Sequence, residues 1–391
     1  MMARETVVIA GAARTPIGSF QGQFKSLSAP QLGAIAIGAA LERAGLNPDA
    51  PGEVFMGCVL PAGLGQAPAR QASIGAGIAH RAGCTTVNKV CGSGMKAAML
   101  GHDAIVAGSA DIVVAGGMES MTNAPYLLKK ARGGYRLGHD AVYDHMFLDG
   151  LEDAYERGTL MGKFAEDTAE AYQFTRGMQD EFALESLRRA KHAAAEGIFA
   201  REIVAVRAGD AQIEADELPL RADPAKIPNL KPAFREGGSV TAANSSGISD
   251  GAAALVLMTE DEAGRRNLRP LARIVGHASH AQAPALFTTA PVGAIRALRE
   301  KIGWNPDDVD LYEINEAFAV VTLAAMRDLN IPHDKVNVFG GACALGHPIG
   351  ASGARILVTL LNALQERDLK RGIASLCIGG GEATAMAVAL L

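Results

Sequence analysis

Val87-Asn88-Lys89-Val90-Cys91-Gly92-Ser93-Gly94-Met95-Lys96-Ala97-Ala98 is a short run with valine at both ends, broken by a cysteine among small residues and followed at once by a helix-like apolar segment. Read outward from its centre, it places Cys91 on a strand-to-helix corner, at a helix N-terminus. The unpaired backbone N–H groups and the positive end of the helix dipole favour a thiolate over a thiol at such a position. Gly92 and Gly94 carry no side chain to shield the sulfur, so a substrate backbone can come close. A free cysteine is otherwise commonly a small buried hydrophobe. The stretch alone therefore leaves two readings, nucleophile or packing residue.

The flanking chain supplies the architecture. Glu5–Ala10 reads as a buried strand ending in Gly11-Ala12-Ala13-Arg14-Thr15-Pro16, but GxGxxG is absent and Pro16 falls where a phosphate-binding helix would run, so a dinucleotide site is rejected. Ser28 caps a helix with Pro30 in its first turn, Leu32, Ile35, Ala36 and Ala39 on one face, and Gly45 at its end. Val54–Leu60 is a strand, Gln71–Ala82 a helix, Thr85–Val90 a strand, Lys96–Ala107 a helix, and Asp111–Ala115 a strand closing on Gly116-Gly117-Met118-Glu119. This alternation predicts a mostly parallel sheet with helices packed on it.

After Ser120 the texture changes. Lys129-Lys130-Ala131-Arg132-Gly133-Gly134-Tyr135-Arg136 reads either as a solvated loop or as an arm contacting another subunit. Two polar helices follow, Glu166–Gln173 and Arg176–Ala195, the second capped by Thr175, and then an irregular run from Gly209 to Gly238. The core pattern resumes at Val240–Gly247 and the strand Ala252–Met258. From Ala272 a second series echoes the first. Asn47-Pro48-Asp49 recurs as Asn305-Pro306-Asp307, Val87-Asn88 as Val336-Asn337, and Gly116-Gly117-Met118-Glu119 as Gly379-Gly380-Gly381-Glu382. Three matches in one order argue for a duplicated α/β unit, whose symmetry sets Cys91 facing loops of the second half.

Those loops carry chemistry-bearing residues. Asn315-Glu316-Ala317-Phe318-Ala319 sits where a strand ends and a helix begins. Gly346-His347-Pro348-Ile349-Gly350-Ala351-Ser352-Gly353 holds His347 extended ahead of another helix, because Pro348 disfavours the helical conformation at the residue before it. Ser375-Leu376-Cys377-Ile378-Gly379-Gly380-Gly381 ends a strand with a second cysteine and a glycine run whose N–H groups can converge on an anion. Singly, each has a structural reading: a lone histidine, a plain turn, a core cysteine. Together they make a nucleophile, a base, a second acid/base and oxyanion donors.

Composition bounds the alternatives. A chain of 391 residues with 49% hydrophobic and 20% charged residues and 45 glycines suits a soluble α/β enzyme of two or three domains. A net charge of −5 gives no general pull toward nucleic acid or membrane surfaces. The five cysteines (Cys58, Cys84, Cys91, Cys343, Cys377) are odd in number and free of CxxC spacing, against a disulfide framework or a zinc site and in favour of a reducing compartment. No apolar stretch approaches the roughly 20 residues that span a bilayer, and the first ten residues show no signal-peptide pattern. A cytoplasmic protein is expected.

With these motifs in order, the chain resembles the thiolase family over nearly its whole length: Val90–Ala97, Gly116–Met121, Asn315–Ala319, Gly346–Gly353 and Cys377–Gly381. The resemblance implies an α/β thiolase-like fold, two pseudo-symmetric βαβαβαββ halves with an inserted loop domain. Residues 1–120 and 245–271 would form the first half, 121–244 the insertion covering a coenzyme A (CoA) site, and 272–391 the second half. It also implies a homotetramer built as a dimer of dimers, CoA thioesters as substrates, and no cofactor or metal beyond CoA as carrier.

By the same resemblance, Cys91 attacks a thioester with His347 as its base, and Cys377 removes the α-proton of a second acetyl-CoA. His347 with a water held by Asn315 would form one oxyanion hole, and the backbone N–H groups of Cys91 and Gly379 the other, each donor worth roughly 3 kcal/mol of barrier. Ser246 and Ala242 would contact the pantetheine arm and Arg221 the nucleotide end. Met161, Phe287 and Phe318 would bound the acyl pocket, with Leu160 and Ala317 beside them. The activity implied is interconversion of two acetyl-CoA with acetoacetyl-CoA and CoA. The alternative is a broader 3-ketoacyl-CoA thiolase of fatty-acid β-oxidation. A decarboxylating ketoacyl synthase is disfavoured because Cys377 holds the second acid/base position, and a non-catalytic lipid binder because all three reactive residues are present. Three positions depart from the family pattern: Leu160 where a histidine is frequent, Cys343 near the catalytic histidine, and Glu382-Ala383-Thr384 in the tail.

Overall fold

The computed structural model describes residues 6–391, so the first residue of the strand expected over Glu5–Ala10 lies outside it. Strand β1 (Val7–Arg14) is buried at every position: Val7–Ala13 are apolar or small, as a strand covered on both faces requires, and Arg14 is buried in ion pairs with Glu202 and Asp216. Helix α1 (Ala29–Arg43) opens on a reciprocal cap: the Ser28 hydroxyl accepts from the Gln31 amide, and the Gln31 side chain accepts from the Ser28 N–H. The first half continues through β2 (Glu53–Gly57), α2 (Pro68–Gly75), β3 (Gly83–Val87), α3 (Ser93–Val106) and β4 (Ile112–Ser120). Helix α2 is shorter than expected because the chain turns at Gly77, whose φ is 80°.

The middle section contains α4 (Met161–Tyr172), α5 (Arg176–Ala195) and the short α6 (Glu217–Arg221). Thr175 caps α5 as expected, its hydroxyl accepting from the Met178 amide. Strand β5 (Ser249–Thr259) then closes the first sheet half. The second half runs β6 (Ala272–Ala281), α7 (Ala290–Ile302), β7 (Leu311–Ile314), α8 (Ala319–Leu329), α9 (Ser352–Glu366), β8 (Arg371–Ile378) and β9 (Glu382–Leu390).

The nine strands make one sheet in the order β7-β8-β9-β6-β1-β5-β4-β2-β3, with Gly18–Ser19 pairing on β5. The sheet is mixed, which corrects the mostly parallel expectation. Strands β2, β3 and β4 are mutually parallel, as are β7 and β8, because helices connect them. Strand β5 returns after the long middle section, inserts between β1 and β4, and runs antiparallel to both. Strand β9 repeats that arrangement between β6 and β8.

The duplication is visible in the pairing itself. In each half the order runs β1-β5-β4-β2 or β6-β9-β8-β7, and the two halves join through antiparallel β1 and β6. Both copies carry a register shift at the same place, between Ile9 and Gly11 and between Ile274 and Gly276. The counterpart of β3 is reduced to one parallel bridge from Val336 to Tyr312, at the repeated Val-Asn pair. The equivalent helices α3 and α9 pack on each other inside the molecule, while α1 and α2 cover one outer face and α7 and α8 the other. Both buried helices open with Ser-Gly, and contact demands it. A Cβ on Gly94 would lie 2.8 Å from the Ala354 nitrogen, and one on Gly353 only 2.3 Å from the Met95 nitrogen. Among the described residues no helix is long and apolar enough to cross a membrane.

Candidate active site

The crossing of α3 and α9 brings the two N-terminal corners together over one cavity of about 360 Å³ with largely apolar walls. On the first corner β3 stops at Val87, earlier than expected, and Val90 adopts φ 46°, a left-handed conformation that a β-branched residue rarely takes. That turn presents Cys91 to the cavity. Ser93 locks it, accepting from the Lys89 amide at 2.8 Å and donating to the Val90 carbonyl at 2.7 Å.

The Cys91 thiol is not held as a thiolate in the free protein. Burial pushes its pKa up to about 11, and the charge of Glu119 adds to this, against the backbone amides of Gly379 and of Cys91 itself, which pull it down. The expectation of a resting thiolate is therefore corrected: loss of hydration outweighs the helix terminus, which begins two residues further on at Ser93.

The opposite corner presents a histidine. His347 lines the cavity, and its Nδ1 lies 2.5 Å from the Ser352 hydroxyl. Ser352 uses its own proton on the Pro348 carbonyl at 3.0 Å, so its oxygen accepts from Nδ1–H. The ring thereby carries its proton on Nδ1 and presents a lone pair on Nε2, which is buried without a protein partner. Burial and then the charge of Arg355 lower the His347 pKa to about 3, keeping the imidazole neutral. Glu119, from the Gly-Gly-Met-Glu motif of β4, braces this loop across the two halves. Its carboxylate accepts from the amides of Gly350 at 2.8 Å, Val59 at 2.9 Å and Leu60 at 3.1 Å, and burial raises its pKa to about 7.

Cys377, near the end of β8, is fully buried behind the cavity wall. Its thiol is pushed well above the ordinary range by burial and then by the charge of Cys91. Gly379 lines the cavity with its N–H toward the Cys91 sulfur. Asn315 leaves β7 with its amide bonded to the Ser375 carbonyl at 3.0 Å, while both polar atoms of its buried side chain lack a protein partner. A buried amide in that state calls for a bound polar atom.

Among the expected binding residues, Leu160, Met161, Ala242, Ser246, Phe287, Ala317 and Phe318 all lie on the cavity wall. Ser246 is anchored by its amide and hydroxyl to the Ala317 carbonyl, at 2.9 and 3.0 Å. Arg221 does not line the cavity: it ends α6, is largely exposed, and pairs with Glu217 at 2.9 Å. The wall also contains Phe234, Leu151, Ile248 and Ile349, which sequence reasoning missed. Phe234 lies in the irregular run, where no periodicity marks it, yet its ring stands edge-on to Phe318 at 5.9 Å. The role of Glu119 depends on Val59, Leu60 and Gly350, distant in the chain, whereas Ser352 acts on His347 and Pro348 only five and four residues away, a local contact that the residue pattern did not mark. The tail departure has a partner too, since the Glu382 carboxylate accepts from the Lys89 ammonium and ties the two corners together.

The thiolase N-terminal domain family matches residues 7–261, and the thiolase C-terminal domain family residues 268–390. An acetyl-CoA acetyltransferase of Escherichia coli (strain K12) is 52% identical over 387 residues, covering 97% of this chain and 98% of its own. Acetyl-CoA acetyltransferase 2 of Arabidopsis thaliana is 50% identical over 392 residues, covering 98% and 97%. Among solved structures, the Acat5 thiolase from Ascaris suum in complex with coenzyme A superposes with TM-score 0.94 at 44% identity, over 99% of this chain and 100% of that one. The acetyl-CoA acetyltransferase of Bacillus anthracis does so with TM-score 0.96 at 41% identity, over the whole of both chains. The chain belongs to the thiolase family and is an enzyme of that acyltransferase class.

Proposed function

We propose that the enzyme is an acetyl-CoA acetyltransferase that interconverts two acetyl-CoA with acetoacetyl-CoA and CoA through an acetyl-Cys91 intermediate. The observation that carries this is the meeting of Cys91, His347 and the Gly379 amide on one cavity, with the Cys377 thiol near enough that ionisation of Cys91 would raise it. The Cys91 thiol passes its proton to His347 Nε2 as its sulfur attacks the acetyl carbonyl, and the departing CoA sulfur takes that proton. Proton transfer accompanies bond formation, in keeping with a thiol and an imidazole that are both neutral at rest.

With Cys91 acylated, no charge can form on its sulfur to oppose ionisation of Cys377. Cys377 then hands its proton to the imidazole and accepts the α-proton of a second acetyl-CoA. The carbanion attacks the acetyl-Cys91 carbonyl, the carbon–sulfur bond breaks, and the imidazolium reprotonates Cys91. The Cys91 and Gly379 amides stabilise the oxyanion on the acylated cysteine, and His347 with a polar atom held by Asn315 stabilises the enolate. Each step exchanges protons or carbon and sulfur substituents only, so no cofactor besides CoA enters the scheme.

In this reading CoA lies along residues 121–244, taken as the inserted unit, and passes Ser246 and Ala242, and Arg221, outside the wall, is assigned to its nucleotide end. Exposed Tyr126, Leu128, Leu137 and Val142 around the basic segment Lys129–Arg136 support the subunit-contact reading and a homotetramer. The short-chain reading is favoured over a broader 3-ketoacyl-CoA thiolase by the aromatic cavity wall, where Phe318 stands 6.5 Å from Phe287 and 5.9 Å from Phe234. Comparing cleavage of acetoacetyl-CoA with that of 3-ketodecanoyl-CoA tests this; preference for the longer substrate defeats the proposal.

A further inference from the structure

At the far end of α3 from Cys91, two histidines and an aspartate converge. His102 Nδ1 lies 3.1 Å and His277 Nε2 2.9 Å from the same oxygen, Asp103 Oδ1. The two imidazole rings stand edge-to-face with centroids 4.9 Å apart. One ligand atom from each residue falls within 4.8 Å of the other two, the only such His/Cys/Asp/Glu grouping among the described residues. We propose that His102, Asp103 and His277 form a binding site for a late first-row divalent cation of the zinc or cobalt kind, separate from the catalytic cavity.

The donor set is the argument. Two imidazoles and a carboxylate suit these ions, and tetrahedral bonds of about 2.0–2.2 Å place neighbouring ligand atoms roughly 3.3–3.6 Å apart. Both nitrogens are already near that distance from Oδ1, so small side-chain rotations suffice. Without metal each nitrogen donates to Oδ1; with metal each ring keeps one proton on its other nitrogen and offers the facing lone pair. His102 and Asp103 belong to the last turns of α3, where the negative end of the helix dipole favours a cation. The Lys301 ammonium bonds to the His277 carbonyl at 3.0 Å and opposes a cation, and the Asp103 charge offsets it. The His side chains are mostly covered while Asp103 is half exposed, leaving a coordination position open to solvent. Because His277 belongs to β6 and the other two ligands to α3, a bound ion links the two halves of the fold. The site lies about 15 Å along the helix from the Cys91 corner.

Cobalt(II) is the probe, because its visible spectrum distinguishes nitrogen and oxygen ligands from thiolate. The expected result is saturable binding of one cobalt per chain without thiolate charge-transfer absorption. His102→Gln, Asp103→Asn and His277→Gln should each weaken it more than about tenfold and leave acetoacetyl-CoA cleavage unchanged without metal. In the unsubstituted protein, paramagnetic shifts should fall on the ring resonances of two of its nine histidines. Equal affinity in the variants, a thiolate-dominated spectrum, or shifts on other histidines would each overturn the assignment.

Discussion

Replacing Ser352 by alanine isolates the device that orients the proposed base, His347. Ser352 touches neither the cavity nor Cys91; it accepts from His347 Nδ1–H and donates to the Pro348 carbonyl. Without the hydroxyl, Nδ1–H is buried with no acceptor, which costs about 1–3 kcal/mol. The ring escapes that cost by moving its proton to Nε2 or by rotating, and either change removes the lone pair proposed to receive the Cys91 proton. The competent tautomer then loses about five- to 150-fold in population, and kcat should fall by that factor. KM for acetoacetyl-CoA should change little, since no cavity-lining atom is removed. Thiolysis followed by disappearance of the acetoacetyl-CoA enolate absorbance reads both constants. Combining Ser352→Ala with His347→Ala should add almost nothing to the loss from His347→Ala alone. A Ser352→Ala enzyme, folded and within twofold of the parent kcat, would refute the tautomer assignment.

Three other outcomes follow from the geometry. Alkylation of Cys91 by iodoacetamide in the free enzyme should climb about tenfold per pH unit between pH 7 and 10, because the thiolate is the nucleophile and burial holds the thiol at about 11; a plateau below pH 8 contradicts this. Glu119 has its folded pKa raised to about 7, so its contribution to stability is present below its ordinary pKa of 4.5 and is lost as pH rises through 7. Glu119→Gln should flatten that part of the melting-temperature profile, and an unchanged fall between pH 5 and 8 would assign it to other groups. Gly353→Ala drives a methyl against the α3 backbone and should destabilise the protein by at least about 1–3 kcal/mol in urea unfolding; a neutral result would mean the helices separate freely.

Much of the fold was legible because its signals are local. The Ser28 cap, the Thr175 cap and the Cys91 corner each depend on residues a few positions apart, and all three are present. The duplication was legible because one pattern was used twice. The direction of β5 was not, since a strand arriving after a long excursion carries no mark of the edge it will join. Phe234 was missed for a related reason: its place on the cavity wall is set by docking against Phe318, not by any period in its own segment.

Residue type and order determined by themselves which groups can react and which corners they occupy, because those follow from backbone geometry and near neighbours. Only the tertiary structure decided how those groups stand chemically. The Cys91 thiol is raised and the His347 imidazole is lowered by loss of water, and that loss depends on what the other half of the molecule packs against them. The choice of the Nε2 lone pair is made within the six residues His347–Ser352, but its place on the same cavity as Cys91 exists only once the α3 and α9 corners meet.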